Sequence, residues 1–135
     1  MSERQVINEI KQLLSDGLNQ KALMSSSDFA LEFLRDAANL SNRVASPLWS
    51  TIPKYRLAHL LLRDAKTVEQ LYEIADLLSD VITKNGPRKL EILSQILLIA
   101  VIFRLKQQGV ENSYLNLAEL IKNTANNVRF LGNNG

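Results

Sequence analysis

Apolar residues along this chain recur every three or four positions, a period that marks helices rather than strands. Val6, Ile10, Leu13 and Leu14 place a first helix from about Ser2 to Ser15, opened by the capping-box pair Ser2 and Gln5. Asp16-Gly17 reads as its stop, because glycine tolerates the left-handed conformation of many helix ends. Leu18–Met24 fits either a short helix or an ordered connection. Ser25–Asp28 offers several N-caps to a second helix, about Asp28 to Val44. Its stripe of Phe29, Phe33, Ala37, Leu40 and Val44 faces inward. Ser46-Pro47 closes it, since a residue before proline is pushed out of helical geometry.

Leu48–Ile52 then reads as a linker carrying the single tryptophan, Trp49. Pro53 suits the first turn of a third helix that runs to about Asp64. Thr67 with Gln70 is a second capping box and opens a fourth helix, which Lys84, Gly86 and Pro87 bring to an end. A fifth helix extends from Pro87 to about Gln108 and stops at Gly109, and Asn112-Ser113 caps a sixth, about Tyr114 to Leu131. No strand-like alternation of useful length interrupts this series. The fifth helix is apolar nearly all round between Ile96 and Phe103, which predicts a place at the centre of the fold with Leu97 and Ile99 in the core.

The expected architecture is therefore all-α: a compact bundle of about six helices with a buried central fifth helix, forming one domain over residues 1–135 whose ends, 1–3 and 132–135, fray. A short echo between Ala30–Ala37 and Ala58–Ala65 has too few copies to indicate a repeat array. A bundle is preferred to an open solenoid.

Composition narrows the chemistry more than the fold. Of 135 residues, 46% are apolar and 22% charged, ordinary values for a folded chain. There is no cysteine, so thiolate metal sites, disulfides and cysteine nucleophiles are excluded. The lone histidine, His59, has no second histidine for a metal site and reads as a satisfied, half-buried side chain. All the glycines are isolated, so no phosphate-binding loop is present, and no metal or cofactor is expected. The start of the chain lacks a secretory signal pattern, and the window from Leu90 to Leu105 is interrupted by Glu91, Gln95 and Arg104. A cytoplasmic protein with no membrane contact is the expectation.

The net charge of +2 is small, but it is patterned. Glu69, Glu73, Asp76 and Asp80 fall on one face of the fourth helix, opposite Leu71, Ala75, Leu78 and Ile82. Three readings compete: a solvated face, a docking stripe for a basic partner, or internal pairing with Arg63 or another cation. A divalent-cation site is disfavoured, because one straight helix cannot wrap a metal ion. The basic residues Arg56, Arg63, Lys66, Arg88, Lys89, Arg104 and Lys106, with Tyr55 and Trp49 nearby in sequence, would make a nucleic-acid surface only if three helices bring them together. Leu117–Leu131 has a faint helix-turn-helix look, with Asn126, Asn127 and Arg129 as base readers. Lys122 nevertheless stands where glycine would make the turn.

The function these features favour is non-enzymatic. The chain reads as a helical interaction or adaptor protein, or a small subunit of a larger assembly, that meets a protein partner through exposed helix faces. The acidic stripe is its candidate site. A nucleic-acid-binding accessory subunit is the alternative, and self-association into a homodimer is expected because the apolar stripes exceed what one bundle covers.

Overall fold

The computed structural model describes residues 2–23, 28–110 and 122–129. Those residues form α1 (Glu3–Leu23), α2 (Asp28–Ser41), α3 (Ile52–Asp64), α4 (Val68–Thr83), α5 (Arg88–Gln107) and α6 (residues 122–129). Among the described residues there is no strand, and the chain is all-helical as its periodicity requires. The chain end at 132–135 lies outside the described residues.

Each of the first five helices packs on its neighbours in sequence: α1 on α2, α2 on α3, α3 on α4 and α4 on α5, with a lighter contact between α3 and α5. Arg104 Nη1 donates to the Leu62 carbonyl at 2.6 Å, and one turn further on Gln108 Nε2 donates to the Lys66 carbonyl at 2.8 Å. The two helices therefore advance in the same direction, and α4 makes the return. Two apolar clusters result. Val6, Ile10 and Leu14 of α1 meet Ala37 of α2 and Val44, with Trp49 and Ile52 at the edge. The larger cluster joins Ala58 and Leu62 of α3, Leu71, Ile74 and Leu78 of α4, and Leu98, Val101 and Leu105 of α5.

The helix ends follow local chemistry. The Ser2–Gln5 box is formed, with Ser2 N–H donating to Gln5 Oε1 at 2.9 Å and Gln5 N–H to Ser2 Oγ at 3.3 Å. Glu3 Oε1 accepts from the backbone N–H groups of Ala45 at 2.7 Å and Ser46 at 3.1 Å, which ties the start of α1 to the α2–α3 connection. At the end of α5, Val110 N–H reaches the Leu105 carbonyl and Gly109 N–H the Lys106 carbonyl, with Gly109 at φ 82°. This is the paired closure that a glycine in the left-handed region permits.

Several boundaries differ from the sequence expectation. α1 runs through Gly17 to Leu23 instead of stopping there. Gly17 is buried against α2, where an added Cβ would lie 3.4 Å from Phe33 Cβ, so this glycine sits at a close helix–helix approach and terminates nothing. α2 ends at Ser41, whose hydroxyl folds back to donate to the Ala38 carbonyl at 2.5 Å, and Val44 is buried just past the turn at Asn42 and Arg43. The residue with positive φ after α4 is Asn85, at 54°, and not Gly86. Gly86 is required for space: a Cβ there would stand 2.9 Å from both the Pro47 carbonyl and Thr51 Oγ1. Leu48–Ile52 winds into the first turn of α3, with Ile52 N–H donating to the Leu48 carbonyl at 3.1 Å.

Among the described residues, the fifth helix is covered unevenly, and a central position for it is not confirmed. Leu98, Val101, Ile102 and Leu105 are buried, whereas Leu97 and Ile99 are half-buried and Ile96 and Phe103 are 44% and 51% exposed. Apolar character all round a helix does not distinguish a central helix from one that turns an apolar face outward.

Candidate interaction surfaces

The acidic face is set by the start of α4. Thr67 Oγ1 accepts from Gln70 N–H at 3.1 Å, and Gln70 Oε1 accepts from the N–H groups of Thr67 at 3.1 Å and Lys66 at 2.8 Å. That cap fixes the phase of the helix. Leu71, Ile74, Ala75, Leu78 and Val81 point into the core, so Glu69, Glu73, Asp76 and Asp80 must point out. With Tyr72 and Leu77 they line a shallow hollow of about 470 Å³.

The four carboxylates are not equivalent. Arg35 of α2 pairs with Glu73 at 2.5 Å, in a bridge whose two side chains are both nearly half exposed. Lys54 of α3 pairs with Asp80 at 2.8 Å, and here the lysine side chain is only 5% exposed while the aspartate is 54% exposed. Glu69 and Asp76 are exposed and meet no cation among the described residues. Arg63 stands beside Asp64 at 3.4 Å and is not the cation that reaches the stripe. Sequence reasoning missed both Arg35 and Lys54. Neither is close to α4 along the chain, and a buried lysine in the first turn of α3 has no periodic signature.

The basic candidates fall into two groups. Arg63 and Arg104 line one hollow with His59, Leu60, Leu62 and Leu97, where α3 and α5 run side by side. Arg56 is exposed further back on the same side of α3, and the backbone of Lys66 meets Gln108 at the far end. Arg88 and Lys89 stand at the opposite end of α5, about 24 Å from Arg104 at 1.5 Å of rise per residue. Lys106 is exposed near the C-terminal end. Two of these side chains already have work within the fold. Arg104 holds the Leu62 carbonyl, and Arg88 Nη2 donates to Asn127 Oδ1 at 2.7 Å.

The helix-turn-helix expectation falls partly outside the described residues, which omit 111–121. Within the described part, residues 122–129 are helical, Lys122 and Asn123 among them. Asn127 is occupied: besides accepting from Arg88 it donates to Gln95 Oε1 at 3.0 Å, which docks α6 on α5. Asn126 and Arg129 are exposed.

The outer face of α5 is a surface that charge patterning did not reveal. Ile96 and Phe103 lie two turns apart and project from the same side, with half-buried Leu93 and Ala100 beside them. Of the described titratable groups, Tyr55 is displaced: burial pushes its phenol above the ordinary value of 10.0. No set of three or more histidine, aspartate or glutamate side chains able to hold a metal ion occurs among the described residues. No described helix is long and apolar enough to cross a membrane. Comparison with family models, curated proteins and solved structures finds no match for this chain.

Proposed function

We propose that the chain is a non-enzymatic helical interaction protein, an adaptor or small subunit, that binds a protein partner through the outer face of α5. The observation that carries this reading is the outward position of Ile96 and Phe103 on one face of a helix whose other side is core. Contiguous apolar surface of this kind on a folded chain usually marks an interface, and phenylalanine is among the residues enriched at interfaces. The acidic face has a lesser part. With Glu73 and Asp80 engaged by Arg35 and Lys54, the charges left for a partner are Glu69 and Asp76, which act on association rate and specificity more than on affinity.

A nucleic-acid-binding accessory role remains the second reading, supported by the shared hollow of Arg63 and Arg104. One experiment separates the two. The wild-type chain and the Ile96→Ser/Phe103→Ser variant are used to capture binders from native lysate, with and without nuclease. The interaction reading expects nuclease-resistant recovery that falls at least about tenfold in the variant, the scale of a hot-spot loss. Recovery that disappears with nuclease and ignores the two serines would replace it with the nucleic-acid reading. If the partner is a second copy of the chain, sedimentation equilibrium shows a dimer for wild type and a monomer for the variant.

A further inference from the structure

The other half of the fold carries a second feature, independent of α5. Between α1, α2 and α3 lies a half-open cavity of about 270 Å³. Leu14, Leu34 and Leu60 make its apolar wall, one leucine from each helix, with Gly17 at the base where α1 and α2 approach. A cavity of about 150 Å³ is enough to hold benzene, so this one has room for a ring or a folded chain of several carbons beyond it.

Among the described residues, the polar part of the lining comes from α3. Tyr55, Arg56 and His59 stand at consecutive and one-turn spacing along it. Lys54 and Arg63 on the same helix each have a carboxylate, Asp80 and Asp64 respectively. Arg56 has none among the described residues, and no described aspartate or glutamate lines the cavity. The Tyr55 and His59 rings lie 6.1 Å apart, centre to centre, and form one flank of the opening. An apolar hollow with a few convergent polar groups at one side is the usual form of a small-molecule site. Here the convergent charge is a guanidinium, whose planar fork matches a carboxylate in a two-point hydrogen bond.

We propose that this cavity binds a small amphiphilic monocarboxylate, with its hydrocarbon body against Leu14, Leu34 and Leu60 and its carboxylate on Arg56 beside His59. A phenol with an ordinary value of 10.0 is protonated at neutral pH, and burial raises Tyr55 further, so it stands beside the carboxylate as a hydrogen-bond donor.

The test uses the full chain, labelled with ¹⁵N, titrated separately with 4-phenylbutyrate, octanoate and the uncharged 4-phenyl-1-butanol, and followed by amide shifts. Saturable binding of at least one acid is expected, with shifts concentrated on α1, α2 and α3 and weaker binding of the alcohol. The relative affinity of the two acids tells an aromatic from a fatty source. Arg56 is exposed, so Arg56→Gln leaves the fold intact and should weaken acid binding about tenfold or more, the loss of one charge-assisted hydrogen-bonded pair, with alcohol binding unchanged. Leu34→Phe fills the hollow and should abolish binding of all the probes, and its melting curve reports whether the fold survives. No saturation by either acid, equal binding of acid and alcohol, or an Arg56→Gln variant that binds the acid like wild type would each overturn the proposal.

Discussion

Asp80→Ala should be more costly than its position on an exposed helix face suggests. Its carboxylate is the partner of Lys54, whose side chain is 5% exposed and whose ammonium lies 2.8 Å away. Unit charges about 4 Å apart attract by about 4 kcal/mol at an effective dielectric near 20 and by about 1 kcal/mol in water. A buried lysine facing a half-exposed aspartate lies between those limits. Removing the aspartate also forfeits a hydrogen bond between charged groups, a loss of about 1.5–3 kcal/mol, and leaves the ammonium desolvated. The expected cost is about 2–3 kcal/mol.

The reverse substitution is asymmetric. Lys54→Met removes the desolvated charge itself, keeps most of the side-chain volume and leaves Asp80 to water, so stability should stay within about 1 kcal/mol of wild type. The double variant should match Lys54→Met, which gives a coupling of about 2 kcal/mol in the cycle. Urea unfolding followed by circular dichroism measures all four proteins. An Asp80→Ala cost below about 0.5 kcal/mol, or a Lys54→Met cost that exceeds it, would refute the assignment of Asp80 to the fold.

Other substitutions test the packing from different sides. Gly17→Ala should stabilise by about 0.5–1 kcal/mol, because alanine is the better helix former and its Cβ would make ordinary contacts with Phe33; a loss in the urea midpoint would show that the helices need the glycine. Gly86→Ala should instead destabilise by about 1–3 kcal/mol through its clash with Pro47 and Thr51, read by the same assay. Leu98→Ala should cost about 2–5 kcal/mol, since Leu98 and not its half-buried neighbours Leu97 and Ile99 lies in the core. The raised Tyr55 pKa means the folded chain keeps this phenolic proton after the unfolded chain has lost its own. That contribution is fully present below pH 10.0 and is lost as pH rises through the folded value, so Tyr55→Phe should flatten the alkaline fall in melting temperature.

Local signals in the sequence were reliable where the chemistry is local. Ser2 with Gln5 and Thr67 with Gln70 cap their helices as their spacing indicates, and Gly109 closes α5 with positive φ. Glycine misled where tertiary approach set its role: Gly17 lies inside α1, and beside Gly86 the left-handed residue is Asn85. The acidic stripe was legible as a face, because helical phase follows from spacing, but its division into held and open charges was not. That division depends on Arg35 and Lys54, which are distant in sequence and brought close by packing. The outer side of α5 was hidden for a related reason. A run that is apolar all round carries no phase, so nothing in it says that Leu98 turns in and Phe103 turns out.

The direct test of α5 as a docking face is site-specific photocrosslinking in native lysate, with a benzophenone side chain at position 103 and, as control, at position 43. Phe103 and Arg43 are both exposed, but only the first belongs to the apolar face. The proposed role predicts a discrete, competable protein adduct from position 103 and none from position 43. Free chain alone from position 103, or the same smear from both positions, would contradict it.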